Sequence, residues 1–204
     1  MAVLSAERAR GGYAEYVTVP EKNLVEIPEG ISLENACAVT LAGTTAVHLI
    51  ERAEVTEKSK VLITGATGGV GTAVIQILKA KQCEIIVVTS SDKKKAGLKK
   101  LGVDQVVMMD NLPKGIPFVI EIVGGDIWSA AVESLAKNGT MVFCATSRDE
   151  LGQVNIGQAF SREVNILGSY GGVRKDLQTA LELLHQGVIK PVIDQIFPLE
   201  QAAA

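Results

Sequence analysis

The 204-residue sequence predicts a doubly wound α/β domain built on a parallel sheet of about six strands. Three observations predict it. From residue 60 onward, apolar runs of strand length alternate with segments of helical period. Runs such as Ile85-Ile86-Val87-Val88 carry no polar alternation, so both faces of those strands must be covered, as in a parallel sheet between helices. A strand-loop-helix unit over residues 61–81 holds the string Gly65-Ala66-Thr67-Gly68-Gly69-Val70-Gly71, the setting that a dinucleotide-binding loop requires.

In chain order, AEYVTVP and LVEIP before residue 28 read as short extended pieces closed by proline, strands without a sheet of their own. Residues 32–52 then turn helical, with Ser32 placed to cap and Glu34 in the first turn, and read as a connector. VLITG leads into a helix over 69–81 whose inward stripe is Val70, Ala73, Val74, Ile77 and Leu78. EIIVVT, a helix over 93–101, QVVMM and FVIEIV follow, then a helix over 127–136 that Asp126 caps and Trp128 packs. TMVFCAT and a last strand over 163–169 precede a helix over 175–186, whose inward stripe is Leu177, Ala180, Leu181 and Leu184 and whose stop is Gly187.

Composition narrows the function. Forty-seven per cent of residues are hydrophobic, enough for a full core. Twenty basic against 23 acidic residues give a net charge of −3 with no basic face, which points away from nucleic acid or an anionic membrane and toward a small soluble ligand. No apolar run approaches the roughly 18 residues of a membrane span, and MAVLSAERARGG lacks the apolar centre of a signal peptide, so a cytoplasmic protein is expected. Cys37, Cys83 and Cys144 are far apart and lie in apolar stretches, which predicts reduced core residues instead of disulfides or a zinc knot.

The glycine string has a physical reading. Gly68 lets the backbone approach a pyrophosphate and Gly71 lets the helix lie close on the strand, while the helix N-terminus offers free N–H groups and a positive dipole end. A purely structural turn needs only one or two glycines. With GGYAEYVTVP, LAGTTAVHLI, ITGATGGVG, VIEIVGG, GTMVFCATS and LGSYGGVRKDL, the chain resembles the medium-chain dehydrogenases and reductases, which include zinc alcohol dehydrogenases and zinc-free quinone and enoyl reductases. The resemblance implies a Rossmann domain over residues 57–204, a helical connector over 31–56, and a β stub of a GroES-like catalytic domain over 1–30. It also implies a truncated chain, with most of the catalytic domain missing on both sides.

The resemblance places Gly65, Thr67, Gly68, Gly69 and Val70 at the pyrophosphate, Thr45 beside the nicotinamide, and Val123 and Gly124 near the adenosine. Ala145 and Thr146 fall near the nicotinamide ribose and Arg174 at the pyrophosphate, where an arginine can fork onto phosphate oxygens. NAD-specific sites close the second strand with an acidic residue that takes the ribose hydroxyls. Here that strand ends at Thr89, and Ser90, Ser91 and the lysines 93 to 95 follow, with Lys95 the expected partner of a 2′-phosphate. NADP(H) is therefore favoured over NAD(H), with Asp92 as the complication.

Counting back from Gly71, the residue equivalent to a catalytic zinc cysteine is Leu41, which cannot bind metal, and neither His48 nor His185 has a second ligand at metal spacing. No metal is expected in this chain. The function implied is zinc-independent hydride transfer between nicotinamide and a quinone or α,β-unsaturated carbonyl or enoyl substrate. Two alternatives stay open: a zinc-type alcohol dehydrogenase whose ligands lie in the missing domain, and an isolated cofactor-binding module without turnover. No catalytic residue is identified. The last strand offers an exposed edge, with Val164, Ile166 and Leu167, on which a homodimer is expected.

Overall fold

The computed structural model describes residues 12–145, 149 and 151–202. Strands β1 (Lys60–Ile63), β2 (Glu84–Thr89), β3 (Gln105–Met108), β4 (Ile116–Glu121), β5 (Leu135–Phe143) and β6 (Asn165–Gly168) form one sheet in the order β3-β2-β1-β4-β5-β6, every pair parallel. That order reverses between β1 and β4, so the connections diverge there and leave a crevice at the carboxyl ends of the strands.

Strand alternation divides the interior into two cores. Val61, Ile63, Ile85, Val87, Ile120 and Val142 point into the layer of α1 (Leu33–Arg52), α2 (Gly69–Ala80), α3 (Asp92–Lys100) and α6 (Arg174–His185). Leu62, Ile86, Ile116, Val119 and Met141 face the opposite side, where α4 (Ile127–Ser134) contributes Ala131 and Val132. Both faces are dry, which is why the strands read as unbroken apolar runs. Each of these side chains contributes on the order of 1.5–3 kcal/mol by leaving water.

The expected stripes hold. Ala73, Val74, Ile77 and Leu78 of α2 are buried with Val70 packed against them, and so are Leu177, Ala180, Leu181 and Leu184 of α6. Ser32 caps α1 by accepting from the Asn35 N–H at 3.2 Å, and Gly187 ends α6 at φ +73°. Among the described residues no helix is long and apolar enough to cross a membrane.

Several expectations change. AEYVTVP and LVEIP join no ladder of the described strands and are separated by a 3₁₀ turn at Glu21–Asn23; backbone groups without a neighbouring strand cannot form a sheet. Helix α4 stops at Ser134, two residues before the expected end, since Leu135–Ala136 already belong to β5; Arg162 holds that end by donating to the Leu135 carbonyl at 2.8 Å and the Glu133 carbonyl at 3.1 Å. Asp126 occupies the cap position of α4 but makes no capping bond, whereas Trp128 does pack, edge-on to Phe143 with ring centroids 4.6 Å apart. A short helix α5 (Ile156–Ser161), capped by Asn155, adds an element without an apolar stripe, since its residues Ile156 and Phe160 are exposed. Cys83 is buried and Cys144 half-buried, but Cys37 projects outward from α1. All three are free thiols.

Candidate dinucleotide site

The site begins where β1 ends. The chain turns at Gly65, whose φ of +63° glycine adopts without strain, and enters α2 through Gly68. The first rung of the helix ladder is Thr72 N–H to Gly68 O at 2.9 Å, so the N–H groups of Gly69, Val70 and Gly71 precede the ladder and face the loop end of the crevice. Gly71 is sterically obligatory. A Cβ there would run into the Gly65 carbonyl oxygen and lie 2.7 Å from Ala66 Cα, both backbone atoms that cannot swing aside. Gly68 differs: a Cβ there would meet nothing nearer than the Gly65 carbonyl oxygen at 3.7 Å. Its side of the loop is open to a ligand.

Beside this loop lies a cleft of about 180 Å³ walled by Thr64, Gly65, Ala66, Thr67, Val88, Thr89, Ser90, Leu98, Met109, Val123 and Ile127. It brings together Gly65, Thr67, Thr89, Ser90 and Val123 of the residues expected from sequence. Gly68, Gly69 and Val70 form the adjoining helix N-terminus. Ser91 precedes α3 and Lys95 lies half-buried in the early part of that helix. Thr89 is buried and spends its hydroxyl locally, donating to the Ser91 carbonyl and accepting from the Ser91 N–H, both at 3.2 Å. Of the three hydroxyls, Ser90 is the exposed one.

The opposite wall is organised by a residue that sequence reading passed over. Glu121, the last residue of β4, is fully buried, and its Oε1 accepts from Thr64 Oγ1 at 3.0 Å, Val123 N at 2.8 Å and Gly124 N at 2.9 Å. Gly124 takes φ +73° in that turn. The signal that could have found Glu121 is a single carboxylate in the otherwise apolar FVIEIV. Burial, and then the Glu121 charge, push the Cys144 thiol up to about 11.

Thr45, Arg174 and Ala145 do not line this cleft. Thr45 is buried on α1, and a Cβ at Gly172 would lie 2.7 Å from Thr44 Cγ2, so α1 closely abuts the turn before α6. Arg174, the first residue of α6, donates through Nε to the Leu24 carbonyl at 3.1 Å. Ala145 follows β5 half-buried, and Thr146 lies outside the described residues.

The profile of the zinc-binding dehydrogenases matches residues 69–186. Bovine quinone oxidoreductase-like protein 2 is 30% identical over 93% of this chain and 61% of its own length. This chain belongs to the zinc-binding dehydrogenase family. Prostaglandin reductase-3 of Mus musculus is 35% identical over 67% of the chain and 39% of its own length, and an alcohol dehydrogenase of Geobacillus stearothermophilus is 30% identical over 93% and 58%. The crystal structure of AibC superposes with a TM-score of 0.89 at 30% identity, covering 97% of this chain and 63% of that one. The 2-octenoyl-CoA carboxylase reductase CinF, solved with NADP and 2-octenoyl-CoA, does so with a TM-score of 0.83 at 26% identity, covering 95% and 50%. The chain thus spans between about two fifths and two thirds of the length of these relatives.

The family's medium-chain dehydrogenase and reductase fold is the one observed, with the glycine loop at the β1 and β4 divide. Among the described residues no group of three or more His, Cys, Asp or Glu is placed to hold a metal ion. Leu41 projects from α1 at 63% exposure, and His48 is committed elsewhere, with Nδ1 2.8 Å from Asp176 Oδ2.

The two glycines separate fold from site. Gly71→Ala is expected to destabilise the domain by about 2–3 kcal/mol, read from denaturant unfolding, because backbone must move. Gly68→Ala is expected to leave unfolding within about 0.5 kcal/mol of the parent while weakening dinucleotide binding in a titration. Cys144 supplies a pH prediction. Its folded value lies above the ordinary 9.0, so the unfolded chain loses this proton first, and stability present below about pH 9 should decline as pH rises toward about 11. Alkylation at about pH 8 should label exposed Cys37 well before Cys144, since only the thiolate reacts.

Proposed function

We propose that this chain is the cofactor-holding part of an NADP(H)-dependent reductase that passes hydride to a quinone or an α,β-unsaturated carbonyl or enoyl compound without zinc. The observation that carries the phosphate preference is the end of β2. The strand closes on Thr89 and Ser90 at the cleft wall, and among the described residues that line it there is no carboxylate. Lys95, early in α3, is the cation we assign to a 2′-phosphate dianion, whose charge would offset the unfavourable placement of lysines near a helix N-terminus.

The residues present fit a dinucleotide. The open side of Gly68 and the N–H groups of Gly69, Val70 and Gly71 suit a pyrophosphate, and the apolar wall of Leu98, Met109 and Ile127 suits an adenine. A nicotinamide dinucleotide bound there supplies the hydride. The chain's own part is to hold and orient it, with Val123 packed against the glycine turn and Thr45 and Ala145 toward the nicotinamide end. Arg174 would exchange the Leu24 carbonyl for a phosphate oxygen, a charge-assisted bond of greater strength.

The absence of zinc rests on Leu41, which offers no donor atom at the position of a metal-binding cysteine. Prostaglandin reductase-3, quinone oxidoreductase-like protein 2 and NADP-bound CinF support a reductase, and the substrate class comes from them. Among the described strands β6 pairs with β5 alone, and that edge supports a homodimer.

Titration followed by nicotinamide fluorescence should show NADPH binding more tightly than NADH; the reverse order would remove the phosphate-site reading. Lys95→Ala should weaken NADPH by about 1.5–3 kcal/mol and NADH far less. Size-exclusion chromatography should give the mass of two chains, and a monomer would end the dimer reading.

A further inference from the structure

Among the described residues, three side-chain polar atoms are buried with no partner: Glu121 Oε2, Trp128 Nε1 and Ser169 Oγ. Glu121 differs from the other two in what its second oxygen does. Oε1 gathers one donor from the end of β1, the Thr64 hydroxyl, and two from the turn after β4, the N–H groups of Val123 and Gly124. Thr64 Oγ1 in turn accepts from Ile122 N at 2.9 Å. One carboxylate oxygen thus fastens the two loops that flank the divide of the sheet.

These loops form facing walls of the cleft, through Gly65, Ala66 and Thr67 on one side and Val123 on the other. They also touch: a Cβ at Gly65 would come within 3.1 Å of Val123 Cγ2. A carboxylate is costly to bury, and an apolar residue would complete the β4 face more cheaply if packing were its only task. The inward N–H groups of the Val123–Gly124 turn have no strand to pair with, and Glu121 satisfies them from inside the protein.

We propose that Glu121 is a positioning residue for the dinucleotide site, setting the separation between the glycine turn and the Val123–Gly124 turn through Thr64. The role rests on the cofactor reading above. Glu121 contacts no reacting atom; it acts through the two loops.

The test uses the full chain with Glu121→Ala, Glu121→Gln and Thr64→Val. Hydrogen exchange of the Val123 and Gly124 amides is measured without cofactor, and NADPH affinity by titration. In Glu121→Ala both amides should exchange faster and NADPH should bind on the order of tenfold more weakly. Glu121→Gln keeps an acceptor oxygen and should restore affinity to within roughly threefold of the parent. Amides protected as in the parent would overturn the proposal. So would amides that exchange faster while NADPH affinity stays unchanged, since Glu121 would then be structural alone. Should Glu121→Ala not fold, Thr64→Val, which removes one of the three donors, decides by the same two readouts. A parent chain that binds neither NADPH nor NADH would remove the cofactor reading and this role with it, while amide exchange would still show separately whether the link between the loops exists.

Discussion

The close approach of α2 to the end of β1 is the constraint on which the rest depends. Gly71 has no side chain, so the helix can rest against the Gly65 carbonyl and Ala66. Only at that distance does the helix N-terminus arrive at the carboxyl edge of the sheet instead of standing off it. Its leading N–H groups then open into the crevice where strand order reverses. Backbone clash, unlike a crowded side chain, has no rotamer by which to relax, so this contact sets helix, loop and cleft together.

Around it the cleft has an electrostatic asymmetry. On the glycine side stand backbone N–H donors and, beyond β2, the lysine-bearing start of α3. On the β4 side the buried carboxylate of Glu121 spends one oxygen, Oε1, on three donors of its own flanking loops. Its charge is felt at Cys144, whose thiol burial and then Glu121 push up to about 11.

Much of this was legible in the sequence. Both core faces followed from unbroken apolar strands, and the stripes of α2 and α6 followed from helical period, because burial is what makes those patterns. The glycine loop was legible because its steric demand leaves a mark at fixed spacing. Residues whose part depends on a distant partner were less so. The bond of Thr89 to Ser91 and that of Arg174 to the Leu24 carbonyl have no counterpart in local pattern, because each partner is set by the fold. Cys37 sits in an apolar stretch but on the outer face of α1, and α5 is too short and too exposed to carry a period.

The sequence by itself determined the fold class, the succession of the six strands of the sheet, and the place of the glycine loop, since each is written in local periodicity or in glycine spacing. Tertiary structure alone decided that Glu121 joins Thr64 to the Val123–Gly124 turn, 57 residues apart from the first of these partners and in immediate sequence contact with the second. A buried carboxylate has no pattern of its own. What it does depends on which donors the packed strands bring within hydrogen-bond reach, and that is settled only when β1 and β4 lie side by side.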